Sequence, residues 1–567
     1  MTNNKILRYS AILLSFIAGI YILFSNLYYC EFGGDENYMA LCVRDYKYSP
    51  LAVLTYYIGH IWCDIFGFSL LNLRILTRVL YIIAVGGGCW YMMRHIKSTA
   101  IRCLTILTSF FIAGLSGFAI YDWNSASSPF ILFFVLPLLW YVNKPSLLKI
   151  STVGFFCALL TLSKATMGTT AFVALAAIIF ARKYQYADIF SNQKQTRALS
   201  MAIIYDCIAG VIAMSASILL ILLLICGSPE GIKELLSPDN IITGHGLDSI
   251  SIFIWRFKVC VPLVIISWFA GLICYWLAEK TYSYSICSFT NITAVCAAIF
   301  AGWSALRIYA MIDDYSTPIF GLGLPYLVIL CVAYPFFILK KKHKENNHSN
   351  SADTLKLLQL KSLLILGVVF LMGFGSDTMP ERWLVCSVFP IVVTLVYPWL
   401  DSTYISVIKR WLIISAIMFT VILFYRNHGL RSEFSYVDKE FATRGPIPVP
   451  QDFEPFLTEI DPIVESLQRQ NKNFTFWGAH HLAFQLAYNV EPTISIHAFH
   501  IFYQNFLDFV KDPDNLEYMF ITFPKDDTTL VDRSIRAAEK AGFRRVGAGD
   551  YYILYENPNY HSKKDDK

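Results

Sequence analysis

The chain has 567 residues, of which 56% are hydrophobic and only 15% charged, with a formal net charge of +5 and a mean hydropathy of +0.50. A soluble globular chain carries about a quarter charged residues, so this balance excludes an ordinary soluble protein and indicates a polytopic membrane protein. No basic stripe points to a nucleic acid, and no CxxC pair supports a zinc ribbon or a thioredoxin-like motif.

Spans are placed by apolar length, and their orientation by the bias of Lys and Arg towards the cytoplasm. Lys5 and Arg8 precede an apolar run with no small-residue cleavage site, so 9–28 reads as a retained first helix with a cytoplasmic N-terminus. The polar hinge Glu31-Phe32-Gly33-Gly34-Asp35-Glu36-Asn37-Tyr38 follows. It opens an outer loop over 29–70, and the semi-apolar stretch 51–66, interrupted by His60 and Asp64, reads there as a helix along the interface. Cys30 and Cys42 share this loop and form a candidate pair; the other cysteines sit mostly singly in apolar segments, as small hydrophobes.

Further spans are expected at 71–93, 103–121, 127–142, 147–162, 166–181 and 200–226, with Arg94-His95-Ile96-Lys97, Lys144 and Arg182-Lys183 marking cytoplasmic ends. An outer loop at 227–255 leads to 259–278, 286–306 and 318–339, the last returning to the basic cluster Lys340-Lys341-Lys342-His343-Lys344. Spans 357–375, 383–399 and 411–425 bring the total to about thirteen crossings by apolar length.

The composition changes near Arg426. After the stiff linker Gly445-Pro446-Ile447-Pro448-Val449-Pro450, strands are expected at 474–477, 518–523 and 551–555, with helices at 481–488 and 530–541. The fold expected is therefore a mainly α membrane bundle, 1–425, followed by a small α/β domain on the outer face, 426–567. His480-His481 and His497…His500 read as structural or solvent-facing histidines, because no acidic partner completes a metal set.

This topology collects ionisable residues at the outer membrane face. They are Asp35, Glu36, Arg74, Arg78 one turn further on, Asp122 in Tyr121-Asp122-Trp123-Asn124, and Lys164 in Ser163-Lys164-Ala165-Thr166. Arg256, Lys258, Arg307, Asp313, Asp314, Asp377, Glu381 and Arg382 mark later outer loops or span ends. Such groups are costly near a membrane and usually face a cavity or a partner. One chemistry uses both signs of charge here. Cations hold the phosphate of a polyprenyl-phosphate sugar as it leaves, and a carboxylate takes the proton of the incoming hydroxyl. The bland readings stand beside this: Asp35 and Glu36 as a solvated pair at a helix start, Asp122 as an N-cap, Lys164 and Arg382 snorkelling to headgroups, and Arg74 and Arg78 pairing with loop carboxylates. The nearby aromatics Tyr38, Tyr46, Tyr48, Tyr56 and Tyr57 belong to the interface belt or line a sugar cleft.

Asp35-Glu36-Asn37-Tyr38, Ser49-Pro50-Leu51, Phe66-Gly67-Phe68-Ser69 and Leu73-Arg74 together resemble the N-terminal signature of the GT-C glycosyltransferases, in the branch similar to bacterial protein O-mannosyltransferases and the lipid A aminoarabinose transferase. Leu162-Ser163-Lys164 is similar to that family's lysine-bearing hairpin. Pro380-Glu381-Arg382-Trp383, followed by Phe389-Pro390, resembles its late Pro-Arg-Tyr and Pro elements, although Trp383 stands where a tyrosine is usual. The resemblance implies a polyprenyl-phosphate sugar donor and transfer on the periplasmic side of a bacterial inner membrane. It also implies a catalytic acid at Asp35 or Glu36 and a second at Asp122, with Lys164, Arg74, Arg78 and Arg382 towards the phosphate. A divalent metal held by the carboxylates is an open alternative, and the acceptor is a lipid, a glycan or a protein. Two rival classes remain: a polysaccharide polymerase or ligase, whose site would sit in one large outer loop, and a transporter, whose ionisable groups would lie at the membrane midplane.

Overall fold

The computed structural model describes residues 2–25, 34–44, 50–93, 98–115, 120–185, 193–237, 453–490, 516–525 and 531–560. It also describes Leu27, Ile96, Phe506, parts of 357–372, and the residue pairs 434–435 and 449–450. The spans expected at 259–278, 286–306, 318–339, 383–399 and 411–425, the Lys340–Lys344 cluster, Cys30 and Arg382 lie outside the described residues.

Ten helices are described in the first part of the chain. They are α1 Thr2–Phe24, α2 Gly34–Arg44, α3 Val53–Phe66, α4 Leu70–Met93, α5 Thr99–Leu115, α6 Trp123–Asn143, α7 Leu147–Ser163, α8 Thr170–Gln185, α9 Gln193–Cys226 and α10 Pro229–Leu235. Among the described residues, five stretches are long and apolar enough to cross a membrane: Lys5–Phe24, Leu70–Gly88, Trp123–Asn143, Ala165–Gln185 and Arg197–Cys226. The stretch in α6 is the most enclosed, 83% buried against 11% for those in α1 and α9, so α6 is the post around which this part of the bundle is built.

Packing follows from small residues where helices come close, as expected where lipid supplies no hydrophobic drive between helices. Gly154 on α7 lies against Gly210 O of α9, where a side chain would overlap the carbonyl. On the other flank α1 packs on α5, with Phe16 edge-on to Phe110 at 5.3 Å.

Two sequence expectations change. The hinge Glu31–Tyr38 does not continue as loop, because α2 begins at Gly34 and Met39 to Val43 are sealed from solvent. The run Tyr38-Met39-Ala40-Leu41-Cys42-Val43 is too short to span a membrane but long enough to fill the space between α3, the start of α4 and the C-terminal region. The stretch expected along the interface does form a helix, α3. Its first residues, Val53 to Tyr56, are buried, whereas Ile61, Ile65 and Phe66 are exposed. Gly59 permits this packing: a Cβ there would come within 2.7 Å of Val43 and 2.8 Å of Tyr121.

The C-terminal part forms a four-stranded mixed sheet from β3 Phe474–Gly478, β4 Tyr518–Thr522, β5 Arg544–Ala548 and β6 Tyr552–Glu556, in the order β3-β4-β6-β5. A two-residue pair, β1 Phe434–Ser435 with β2 Val449–Pro450, precedes it. Strand β3 runs parallel to β4, and the other pairings are antiparallel. Alternate side chains part to the two faces, as a strand's period of two requires. Phe474, Phe476, Phe520 and Leu554 meet helices α11 Glu454–Arg469 and α12 His481–Ala487. Trp477, Met519, Ile521 and Ile553 meet the neighbourhood of helix α13 Asp532–Lys540. The result is a three-layer α/β unit whose expected strands and helices shift by a residue or two. Strand β5 and helix α11 were not expected, the first because its Arg-Arg-Val-Gly-Ala sequence is mostly exposed and shows no apolar alternation.

Candidate functional site

The two arginines on α4 come first. Arg74 and Arg78 lie one turn apart and both are fully buried. Arg74 Nε and Nη2 donate to the two carboxylate oxygens of Glu36, at 2.6 and 2.7 Å, and Nη1 donates to Leu27 O at 3.3 Å. Glu36 lies in the first turn of α2, where a carboxylate is favoured by the helix dipole. Its side chain is 3% exposed and that of Arg74 0%. Bidentate geometry of this kind is the strong form of a carboxylate–guanidinium contact. Arg78 Nη1 donates to Arg74 O at 2.8 Å, which stacks the second arginine under the first. Asp35 is the neighbour of Glu36 in the same turn of α2.

A second group forms where α6 begins. Asp122 caps α6 with extended backbone, and Oδ1 accepts from Ser125 N at 2.5 Å while Ser125 Oγ accepts from Asp122 N at 3.0 Å, a reciprocal capping box. The capping role is thus real, but it uses one oxygen. Oδ2 accepts from Asn124 Nδ2 at 3.2 Å, and Asn124 Oδ1 accepts from Lys164 Nζ at 2.7 Å. This orientation of the amide is the one that satisfies both neighbours, since a carboxylate accepts and an ammonium donates. Lys164 lies between α7 and the 3-10 turn Ala165–Thr169, is 7% exposed, and holds its ammonium 6.0 Å from the Trp123 ring centre. Trp123 in turn meets Tyr38 of α2 edge-on at 5.6 Å.

The N-terminus of α3 ties these groups together. Thr55 O accepts from Tyr121 OH, next to Asp122, and Thr55 Oγ1 donates to Ser163 O at 2.8 Å, next to Lys164. One residue therefore fixes the spacing of two turns that are 42 positions apart in the chain. Of the expected site residues, Glu36 and Arg74 form one unit, with Arg78 stacked on it, and Asp122 and Lys164 form the other. Tyr38 and Trp123 join the two; Arg382 and the side chain of Asp35 lie outside what the structure describes. Asn124 and Thr55 were not singled out from sequence. Asn124 had a signal, its place two residues after Asp122 in a tight turn. Thr55 had none, because its partners are distant in the chain.

Among the described residues, no three His, Cys, Asp or Glu side chains assemble as a metal-ligand set. Both Asp122 oxygens accept N–H groups, and both Glu36 oxygens face Arg74. Asp122 and Glu36 therefore do not fit a metal site. His481 is buried, with Nδ1 2.8 Å from Gly478 O, and belongs to the α12 packing.

A second buried ionic group lies at the opposite end of the helices. Asp206 of α9 accepts from Arg182 Nε at 2.7 Å and Nη2 at 3.0 Å, and from Tyr141 OH at 2.5 Å. It pins α6, α8 and α9 together, and Asp206 was not expected to be charged and buried inside an apolar span. Lys144, Lys149 and Lys183 lie at this same end by the antiparallel order of α6, α7 and α8.

The described chain is thus a helical bundle with membrane-length apolar helices and, at one end, a buried set of cations and carboxylates. No family model matches it, and no curated protein does. Two solved structures share its trace loosely, both of ArnT from Cupriavidus metallidurans. One is bound to undecaprenyl phosphate, at 11% identity and a TM-score of 0.43 over 99% of each chain. The other is in the apo state, at 11% identity and a TM-score of 0.41 over 96% of this chain and 97% of that one.

Proposed function

We propose that this chain is an integral-membrane glycosyltransferase that moves a sugar from a polyprenyl-phosphate carrier to an acceptor at the non-cytoplasmic face of a bacterial inner membrane. The observation that carries this reading is the Asp122–Asn124–Lys164 chain beside the Glu36–Arg74 pair, at the end of the bundle opposite Lys144, Lys149, Arg182 and Lys183. Basic residues collect on the cytoplasmic side, so the site end faces outwards, and the C-terminal α/β domain is periplasmic.

The chemistry divides among the residues as follows. The acceptor hydroxyl oxygen attacks the anomeric carbon, and the bond from that carbon to the phosphate oxygen breaks. The bonding pair stays on the phosphate, whose growing charge Lys164 meets as a fixed ammonium in a water-poor setting, where such contacts are strongest. Asp35 takes the hydroxyl proton as general base. Glu36 is less suited to that task because both its oxygens already accept from Arg74, so it acts as the structural neighbour that fixes the turn carrying Asp35. Asp122 orients Lys164 through Asn124, Arg78 supports Arg74 from the next turn, and Arg382 adds a further cation to the phosphate side.

The test uses membranes containing the chain and labelled polyprenyl-phosphate sugars. Transfer or release of label is expected with the wild type and lost in Asp35→Asn, with that variant still folded in the membrane. Near-normal transfer by Asp35→Asn and by Lys164→Met together would sink the assignment.

A further inference from the structure

The helix that carries Asp35 and Glu36 is held partly by residues some 445 positions away in the chain. Arg44, in the last turn of α2, donates from Nη1 to Asn489 Oδ1 at 3.2 Å and from Nη2 to Val490 O at 3.2 Å. Beside this fork, Leu486 of α12 is fully buried in the same apolar cluster as Tyr38, Met39, Ala40, Leu41, Cys42 and Val43 of α2. The contact is therefore both polar, at the last turn of α2, and apolar, through Leu486.

The acceptor end is rigid for a local reason. Asn489 has φ +52°, the left-handed conformation that asparagine tolerates better than other residues with a Cβ. In that conformation Asn489 N donates to Leu486 O at 3.2 Å and Val490 N to Gln485 O at 2.9 Å, closing α12 in the manner of a helix C-terminal cap. The cap turns the Asn489 side chain and the Val490 carbonyl towards the planar fork of Arg44. Helix α12 is itself anchored to β3, where Gln485 Nε2 donates to Phe476 O at 3.3 Å and His481 Nδ1 lies 2.8 Å from Gly478 O. A continuous path of packed and hydrogen-bonded groups thus runs from the sheet through α12 to α2.

We infer that the C-terminal α/β domain is a positioning element for the acid-bearing helix: it holds α2 in register through Leu486 and the Arg44 fork on Asn489 and Val490. Arg44 and Asn489 are positioning residues; neither touches the reacting atoms. The inference rests on the glycosyltransferase reading for its effect on turnover, but the mechanical coupling itself does not.

The experiment is a double-mutant cycle on the purified full chain in detergent, with Arg44→Met, Asn489→Gly and the double variant. Glycine keeps the left-handed backbone while removing the side-chain acceptor. Loss of the charged fork is expected to speed amide exchange over residues 34–44 about tenfold in Arg44→Met, and about threefold in Asn489→Gly, where the Val490 contact survives. The double variant is expected to match Arg44→Met, because the two changes remove one interaction. Turnover is expected to show a lower kcat with the donor KM within about twofold of wild type, since α2 carries the base rather than the phosphate contacts. Arg44→Lys, which keeps the charge without the fork, covers the case in which Arg44→Met fails to fold and is expected to give an intermediate exchange rate. Wild-type exchange rates over 34–44 in the Arg44 and Asn489 variants, or effects that multiply in the double variant, would overturn the coupling. Absence of transfer by the wild type with every donor would instead sink the glycosyltransferase reading, and the exchange data would still decide the coupling.

Discussion

Replacing Asn124 by leucine probes the centre of the proposed site with little change of volume. The substitution removes the acceptor 2.7 Å from Lys164 Nζ and the donor 3.2 Å from Asp122 Oδ2. A hydrogen bond to a charged group contributes about 1.5–3 kcal/mol, and every 1.4 kcal/mol is about a factor of ten in affinity. If Lys164 is held for the phosphate by this amide, Asn124→Leu weakens binding of a polyprenyl phosphate roughly 10- to 150-fold. Asn124→Asp is expected to act in the same direction for a different reason. It keeps the shape but sets a second carboxylate against the ammonium, and an anionic ligand is expected to bind less well there too. The assay is equilibrium binding of labelled polyprenyl phosphate to the full chain in detergent, with Lys164→Met as reference and thermal unfolding as a check on the fold. A normal affinity in Asn124→Leu, with affinity lost in Lys164→Met, would refute the positioning role and leave Lys164 acting alone.

Other consequences can be measured directly. Glu36→Ala strands a fully buried guanidinium, and breaking a buried pair costs about 3–5 kcal/mol, so the variant is expected to fall sharply in thermal stability; an unchanged melting temperature would contradict the bidentate burial. Asp206→Leu leaves Arg182 and Tyr141 without their shared acceptor, and a comparable loss is expected with donor affinity per folded molecule unchanged, because this group lies at the other end of the bundle. In the C-terminal domain, the Arg544 guanidinium donating to Glu556 holds that carboxyl below its usual range. A depressed folded-state value means the contribution is complete above the ordinary carboxylate range and is lost as pH falls through the folded value. Because Arg544 is largely exposed, the effect is at most about 1 kcal/mol; Glu556→Gln is expected to flatten that part of the acid unfolding profile, and an unaltered profile would count against the pairing.

Composition and apolar length alone pointed to membrane-length helices and to an alternating α/β pattern in the last part of the chain. The reason is that both depend on period and length, which are local. Apolar runs of about 20 residues give α1, α4, α6, α8 and α9, and the alternating run at 474–477 gives β3. Asp122 as a helix cap was legible for the same reason, since a cap contacts residues within one turn. The burial of Tyr38 to Val43 was not legible in the hinge at Glu31–Tyr38, because the residues of α3, α4 and α12 that cover it lie elsewhere in the chain. Of the long-range contacts, only the pairing of Arg74 with some loop carboxylate was open to the sequence, and the particular partners were not. That Arg74 pairs with Glu36, that Thr55 joins the turns of Asp122 and Lys164, and that Arg44 reaches Asn489 are matters of where distant turns meet. The sequence by itself determined which residues carry charge at a helix end. The tertiary structure decided which charges are already committed to one another, because burial leaves a charged group no water and forces it to choose a partner.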